Sequence, residues 1–328
     1  MLRLLALLCC LALPAKANDW SQYKALFITA DGRVQDTGNG GISHSEGQGY
    51  AMLLAEANGD RASFDQLWGW TRHQLGRHDL ALFAWRYDPK ATPPITDNNN
   101  AADGDILVAW ALFKAGQRWN HRNYLSASQR IRATLLARLV RPYAGKLVLL
   151  PGLEGFDGGD YLDLNLSYWV MPAFRDFARA DGNPLWGQLL ASGESLLADS
   201  RFGDNQLPAD WVRLHSDGRL EPSPKWPPRF GFDALRIPLY FRWAGKGNSP
   251  ALAPIQAFWQ QARPLPAWVD LANGQPAPYP ASQGVKAITQ LDQARPLLPK
   301  LTKDSDYYSA SLLLLSQLAL SQPLGPRH

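Results

Sequence analysis

Carboxylate side chains in three short stretches of this 328-residue chain are the groups best suited to chemistry, because a carboxyl can both give and take a proton. The first is Glu46, within residues 42–52, where two glycines follow it before an apolar run. Ser45 and Gln48 fit a capping box, which predicts a helix start. Glycine is costly inside a helix, so we expect another chain, such as a ligand, close to this backbone. Glu46 is then predicted to face a cleft from a helix N-terminus, unless it only complements the helix dipole.

Asp103 and Asp105 lie at the end of a second polar stretch, residues 97–105, which leads into an apolar helical pattern. At about 100° per residue their side chains point some 200° apart, so both cannot face one site. Capping of the helix by one of them is the simpler interpretation. A calcium loop is not supported, because no register of the stretch satisfies the EF-hand pattern.

Asp233 belongs to a third acidic stretch, residues 230–238. Pro238 suits the first turn of a helix, so Asp233 is predicted on the loop that enters this helix. Arg236 could pair with Asp233 and keep it ionised. A purely structural Asp–Arg pair fits the same residues.

Several other classes of function find no support in the sequence. There is no Gly-x-Ser-x-Gly elbow, phosphate-binding loop, dinucleotide fingerprint or His-Glu-x-x-His motif. Both cysteines, Cys9 and Cys10, precede residue 18, so the rest of the chain has no disulfide or thiol chemistry. The net charge is +4, but the basic residues are scattered among acids and predict no nucleic-acid surface.

Helical periodicity dominates the elements that must position the three acids. Helices are predicted over residues 20–30, 46–57, 62–75, 103–116, 123–140, 167–180, 184–198, 237–244, 252–262, 282–291 and 307–318. Strand signals are few: a short run at 146–150, and a hairpin formed by 211–214 and 219–220 around a Ser-Asp-Gly turn. Without a repeat period, such a series of helical hairpins predicts either a closed ring or a packed bundle.

Residues 1–17 have the pattern of a secretory signal peptide, with a basic start, an apolar run over 4–13 and an Ala-Lys-Ala end. Cleavage after Ala17 would leave residues 18–328 as a single domain. No later stretch is apolar enough to span a membrane. The mature protein is therefore expected to be soluble and exported, to the periplasm or beyond.

Three motifs together resemble the signature stretches of glycoside hydrolase family 8. They are Ser45-Glu46-Gly47-Gln48-Gly49-Tyr50-Ala51-Met52, Ala102-Asp103-Gly104-Asp105 and Phe232-Asp233-Ala234-Leu235-Arg236, in matching order and spacing. Further matches at 165–168, 209–212 and 306–308 resemble the branch that is encoded with bacterial cellulose synthase. The resemblance covers about residues 20–318.

This resemblance implies an all-α fold, an (α/α)6 barrel with short β-hairpins in its loops and an open cleft. It implies endo-acting hydrolysis of β-1,4-glucan with inversion, without a cofactor or a catalytic metal. Glu46 matches the general acid of the family and Asp233 the base that activates water. Asp103 matches a third acid, which contacts the sugar at the cleavage point, and Arg236 matches an arginine near the base.

The chemistry of inversion agrees with this assignment, since it needs a protonated carboxyl and a water-holding carboxylate roughly 6.5–9.5 Å apart. One difficulty concerns Glu46, because a helix N-terminus favours the ionised form whereas an acid catalyst must carry a proton. We hypothesise that the neighbouring charge of Asp103 keeps Glu46 protonated, in addition to binding sugar.

Aromatic side chains are expected to line the cleft as platforms for sugar rings. Trp85 and Tyr168 are the main candidates and Tyr307 is a third, although each could instead pack in the core. The Gly- and Asp-rich loop 155–163 is expected to shape one end of the cleft.

These observations predict a periplasmic or secreted endoglucanase that binds a β-1,4-glucan chain, with the cellulose synthesis and export machinery as a further candidate partner. Chitosan, xylan and mixed-linkage glucan remain rival substrates within the same fold. A non-catalytic glucan-binding subunit is the alternative from another class, but binding alone needs no protonated acid. A polysaccharide lyase would need a basic or tyrosyl proton abstractor beside an arginine cluster, and the sequence shows no such cluster.

Overall fold

Eleven α-helices carry most of the fold within the residues that this computed structural model describes, 19–293 and 295–321. They are α1 (Asp19–Phe27), α2 (Ser45–Ala57), α3 (Arg61–Trp70), α4 (Ala102–Arg118), α5 (Arg122–Arg138), α6 (Met171–Asp181), α7 (Pro184–Asp199), α8 (Ile237–Trp243), α9 (Ala253–Gln261), α10 (Gln283–Thr289) and α11 (Tyr307–Ser321). Each predicted helix is present, with small shifts at its ends. The predicted signal peptide, residues 1–17, lies outside the described residues.

Two of the predicted helices are divided. The helix predicted over 62–75 continues after α3 as a π-helical turn, Thr71–Leu75. The helix predicted over 167–180 consists of a 3₁₀ turn, Leu166–Tyr168, followed by a separate α6. Pro172 explains the second break, because proline lacks an N–H and is therefore tolerated in the first turn of a helix but not in its interior.

Six inner helices form a ring in which α2 packs on α4, α4 on α6, α6 on α8, α8 on α11, and α11 again on α2, while α10 packs on α11 and on the 3₁₀ turn Ala234–Arg236 before α8. Outside this ring, α1 packs on α11, α3 on α2, α5 on α4 and α7 on α6. The inner helix α2 is buried on nearly every side, whereas the outer helix α5 buries a single stripe. The all-α class and the closed ring are thus confirmed, and the packed bundle is not the arrangement adopted.

The glycines that flank Glu46 allow close packing against other parts of this chain. A Cβ on Gly49 would lie 2.5 Å from Cβ of Leu107 on α4, and a Cβ on Gly47 would collide with the hydroxyl oxygen of Tyr307. The expectation that a ligand runs along this backbone was wrong, because a neighbouring helix and the first residue of α11 occupy that space. The glycines bring the first turns of the inner helices together instead.

Short antiparallel strands lie in the loops between the helices. The pairs are β1 (Ser43–His44) with β2 (Arg86–Tyr87), β3 (Val140–Tyr143) with β4 (Lys146–Leu149), and β8 (Arg229–Phe230) with β9 (Val269–Asp270). A three-stranded sheet joins β5 (Tyr161–Leu164), β6 (Val212–His215) and β7 (Leu220–Pro222). The predicted strand at 146–150 and the predicted hairpin are confirmed. The two-residue strands are too short to leave a periodic signal.

The starts of the inner helices meet at one end of the ring. The second residues of α2 and α4 lie beside Arg236, which ends the 3₁₀ turn Ala234–Arg236 directly before α8. Tyr307, the first residue of α11, lies against Gly47 of α2. Within the described part of the chain, no helix is long and apolar enough to cross a bilayer.

Candidate active site

Arg236 joins the three carboxylates that the sequence analysis selected. Its Nη1 lies 2.5 Å from Oε1 of Glu46, and its Nη2 lies 3.1 Å from Oδ1 of Asp233 and 3.5 Å from Oδ2 of Asp103. Nη2 also donates to Oγ of Ser167 at 2.9 Å. Because Glu46 and Asp233 contact different nitrogens of one planar guanidinium, these carboxylate oxygens are at most about 8 Å apart.

Glu46 is held by contacts within its own helix and across the ring. Tyr50, one turn further along α2, donates its hydroxyl to Oε1 of Glu46 at 2.8 Å and lies 3.0 Å from the hydroxyl of Tyr240. The predicted capping box does not form, because the buried side chain of Gln48 accepts from the N–H of Val34 and donates to Thr71. Gln48 therefore ties α2 to other segments and does not cap it.

Asp103 is the most deeply buried of the three acids, with 4% of its side chain exposed. Burial and the adjacent charge of Glu46 raise the pKa of Asp103 well above its usual range, while Arg236 opposes the shift. Asp105 faces away from this cluster and accepts from the N–H of Phe83 at 2.9 Å and from Asn100 at 2.7 Å. The prediction that only one of the two aspartates faces the site is confirmed.

Asp233 lies on the loop that enters the turn before α8, as predicted, and forms the predicted pair with Arg236. Desolvation and the charge of Glu46 raise the pKa of Asp233, whereas Arg236 and the nearby polar side chains of Asn165 and Trp211 lower it without restoring the usual value. The side chain of Asp233 is 27% exposed, against 15% for Glu46. Asp233 is therefore the acid that solvent water reaches most easily.

Two adjoining cavities meet at the acids and together form a cleft. Their volumes are about 640 Å³ and about 200 Å³, and Glu46, Asp233 and Arg236 line both. The smaller cavity also contains Trp85 and Tyr168, two of the predicted platforms. A polymer in this cleft would place sugar units on both sides of the acids.

The larger cavity contains aromatic side chains that the sequence analysis did not select. Phe232 and Tyr279 line it and are 51% and 49% exposed, so they offer ring faces to a ligand. The prediction of Tyr307 as a third platform was wrong: Tyr307 lines the same cavity but is only 1% exposed, and its ring packs against His44 at 5.8 Å. Phe232 is adjacent to Asp233 in the third motif, so its position in the sequence could have identified it. Tyr279 belongs to no motif, and the sequence contains no signal for it.

The loop over 155–163 reaches the cleft through a stack of aromatic rings. Phe156 stacks on Trp211 at 5.6 Å, Trp211 stacks on Trp226 at 4.1 Å, and Tyr168 meets Trp211 edge-on at 5.9 Å. Lys225 fastens the loop by donating to the carbonyl of Gly155 at 2.8 Å. The loop thus supports the wall around Tyr168, in line with the expectation that it shapes one end of the cleft.

The acid cluster is built around an arginine. Among the described residues, no group of three or more His, Cys, Asp and Glu side chains is arranged to hold a metal ion. Arg236 itself supplies positive charge between the carboxylates, and its buried guanidinium has a pKa raised still further by the charge of Glu46.

Comparisons with known proteins agree with this geometry. The family described as glycosyl hydrolases family 8 matches residues 2–322. An endoglucanase of Cellulomonas uda is 46% identical over 281 residues, which is 85% of this chain and 78% of that protein. A family 8 endoglucanase from Klebsiella pneumoniae superposes with a TM-score of 0.89 at 46% identity, over 92% of this chain and 98% of that one. An endo-β-1,4-glucanase from Acetobacter xylinum superposes with a TM-score of 0.88 at 41% identity, over 92% of this chain and 97% of that one. The (α/α)6 barrel class is thereby confirmed.

Proposed function

The chain belongs to glycosyl hydrolase family 8, and we propose that within this family it acts as an endo-β-1,4-glucanase on cellulose-like glucan. Membership makes it a glycoside hydrolase. The observation that carries the proposal is the position of Glu46, Asp233 and Arg236 where two adjoining cavities meet. Two such cavities can hold sugar units on either side of an internal bond of a long chain, and the relatives named above are described as endoglucanases.

In the proposed mechanism, Glu46 is the general acid and Asp233 the general base. Asp233 takes a proton from a water whose oxygen attacks the anomeric carbon, while the bond to the leaving oxygen breaks and that oxygen receives the proton of Glu46. The limit of about 8 Å between the two carboxylate oxygens is compatible with the roughly 6.5–9.5 Å that inversion requires. The greater exposure of Asp233 supports its role as the group that holds water.

The hypothesis that the charge of Asp103 keeps Glu46 protonated is the reverse of this arrangement, because it is the pKa of Asp103 that is raised. We propose instead that Glu46 receives its proton from Asp103. In the free enzyme Arg236 contacts Glu46 at 2.5 Å, and the raised pKa of Asp103 favours a proton there. Two interacting carboxyls titrate as a pair, so the proton can pass to Glu46 when the leaving oxygen needs it. Asp103, once ionised, would also stabilise positive charge that develops on the sugar.

We also propose export to the periplasm and a role in bacterial cellulose synthesis. The signal pattern of residues 1–17 supports the location, and the motifs shared with the branch encoded beside cellulose synthase support the role. Cell fractionation of the full chain and of a deletion of residues 2–17 tests the location. Only the full chain should reach the periplasm.

The test of activity follows viscosity and reducing ends in carboxymethyl cellulose, for the wild type and for Glu46→Gln. An endoglucanase lowers viscosity well before reducing ends accumulate, and loss of the general acid should reduce kcat by about 10²–10⁴-fold. Glu56→Gln is the matched control, because Glu56 lies on the same helix and contacts Arg118 instead. The first product detected by NMR should be the α-anomer.

Three results would argue against the proposal. Binding of cellulose without hydrolysis would favour a glucan-binding subunit. Hydrolysis of chitosan or xylan in preference to glucan would change the substrate. Full activity of Glu46→Gln would remove Glu46 from the mechanism.

A further inference from the structure

Asp210 lies directly behind the proposed base and belongs to none of the three acidic motifs. A single oxygen of its carboxylate, Oδ1, accepts hydrogen bonds from the backbone N–H groups of Gly231, Asp233 and Ala234, at 2.9, 3.1 and 2.8 Å. The N–H of Asp210 donates in turn to the carbonyl of Arg229 at 2.7 Å. Asp210 therefore binds the loop that carries Asp233 at both of its ends.

These three N–H groups need a partner from outside the loop. They lie at or just before the start of the turn Ala234–Arg236, and N–H groups at a helix start have no acceptor within the helix. No side chain of this turn caps it, since Asp233 makes no capping bond. Asp210 thus performs from a distant part of the chain the task that a local Ser, Asp or Asn usually performs.

Gly231 makes room for this arrangement. A Cβ at residue 231 would lie 2.8 Å from Oδ2 of Asp210, closer than side chains pack, while its φ lies outside the left-handed region that favours glycine. The glycine is therefore needed because the Asp210 carboxylate lies against the backbone, and not because of an unusual backbone angle. This contact is independent of the hydrogen bonds to the loop.

The charge of Asp210 also acts on the base. Burial and the charge of Asp233 raise the pKa of Asp210 to about 7, and the interaction is mutual. The other charged groups around Asp233 are Arg236, Glu46 and Asp103. Ionised Asp210 thus makes Asp233 harder to ionise, while its hydrogen bonds keep the Asp233 backbone in place.

We propose that Asp210 is a positioning residue, which fixes the backbone of Asp233 so that its carboxylate meets the attacking water. This inference rests on the proposed function, in which Asp233 is the base. Displacement of a catalytic group by about 1 Å can cost about 10²-fold in rate, which sets the size of the expected effect.

The experiment compares Asp210→Ala with Asp210→Asn. The asparagine keeps an acceptor oxygen for the three N–H groups but not the charge, whereas the alanine removes both. We expect kcat of Asp210→Ala to fall about 100-fold with KM changed less than about threefold, and kcat of Asp210→Asn to stay within about tenfold of the wild type.

Gly231→Ala provides a second route to the same displacement if Asp210→Ala folds poorly. Its Cβ should push the Asp210 carboxylate away and lower kcat with KM little changed. Asp60→Ala is the matched control, because Asp60 caps α3 through the N–H of Ser63 at 3.1 Å and its other partners, Trp20 and Lys24, do not line the cleft. It should affect stability without affecting kcat.

Hydrogen exchange gives a readout that does not depend on substrate. The amides of residues 231–234 should exchange faster in Asp210→Ala than in the wild type and Asp210→Asn. Equal exchange in all three proteins, or equal loss of kcat in Asp210→Ala and Asp210→Asn, would overturn the inference. A wild type without glucanase activity, or an active Asp233→Asn, would instead overturn the proposed function. The exchange result would then still decide whether Asp210 holds the loop.

Discussion

Arg236 offsets part of the repulsion among three carboxylates that the fold brings into one cluster. Glu46, Asp103 and Asp233 all contact its guanidinium, and only 5% of its side chain is exposed. Burial raises the pKa of Asp103 and Asp233, whereas Arg236 lowers both. The protonation pattern that the reaction needs therefore depends on the balance between desolvation and this single cation.

Replacement of Arg236 should separate its geometric role from its charge. Arg236→Lys keeps the charge, but an ammonium cannot bridge three carboxylates as a planar fork does, so we expect kcat to fall by about 100-fold or more. Arg236→Met should in addition move the acidic limb of kcat/KM to higher pH, because the pKa of Asp233 rises without the cation. Arg132→Lys is the control. Nη2 of Arg132 lies 2.6 Å from Oδ1 of Asp181, and this pair is not part of the cleft, so only stability should change. An unchanged kcat in Arg236→Lys would contradict the prediction.

Asp103→Asn tests whether Asp103 supplies the proton of Glu46. Asp103 has the raised pKa that holds a proton in this cluster, so without it the alkaline limb of the pH–rate profile should move to lower pH and kcat should fall. Asp105→Asn should leave the alkaline limb in place, because Asp105 faces Phe83 and Asn100. An alkaline limb at the wild-type pH in Asp103→Asn would remove Asp103 from this role.

At the scale of elements, the site depends on how closely α2 approaches α4. Gly49 faces Leu107 and Val108, and Gly104 lies under Ser45 and the N–H of Glu46, so each helix presents a glycine to the other. This contact lets the second residues of the two helices, Glu46 and Asp103, share one arginine. The helical cost of these glycines is offset by the packing they permit.

Gly49→Ala should destabilise the protein although alanine is the better helix former. Its Cβ would lie 2.5 Å from Cβ of Leu107 and 3.1 Å from the backbone nitrogen of Val108, and such overpacking costs about 1–3 kcal/mol. Gly187→Ala on α7 is the matched control, because a Cβ there meets nothing within 4 Å. It should stabilise by about 0.5–1 kcal/mol. Urea unfolding midpoints check both values, and equal shifts for the two variants would refute the packing argument.

At the scale of the whole molecule, closure of the ring forces acidic side chains into desolvated positions at one end. Desolvation raises the pKa of Asp105 to about 8 and, together with the charge of Asp233, that of Asp210 to about 7. The pKa of Asp103 and Asp233 at this end is raised as well, and so is that of Glu56 at the other end of α2. In the unfolded chain these groups have ordinary pKa values near 4. The folded protein therefore binds more protons than the unfolded chain between about pH 4 and pH 8.

The free energy of unfolding is expected to fall as pH rises through this window. As pH decreases below about 4, the free energy of unfolding should fall as well, since the pKa of Asp163 and of Glu194 is lowered by the cations that pair with them. Urea midpoints should thus be higher at pH 5 than at pH 8. The slope should be smaller in Asp105→Asn, which cannot lose a proton at that position. A wild-type midpoint that is constant or rises from pH 5 to pH 8 would contradict this expectation.

The sequence by itself determined the helices, their all-α class and the three acids with Arg236, because helical periodicity and the three motifs are local patterns. It also separated Asp103 from Asp105 by their angle on the helix. Periodicity left a closed ring and a packed bundle open, although the resemblance implied the ring. Only the tertiary structure decided the neighbours of the glycines beside Glu46 and the contacts of Gln48, Tyr279 and Asp210. These depend on contacts between segments far apart in the chain: Asp210 bonds to a loop more than twenty residues away, and Gln48 fits a local cap yet bonds to Val34 and Thr71. Buried polar groups must find partners wherever packing leaves them, and packing is a property of the whole fold.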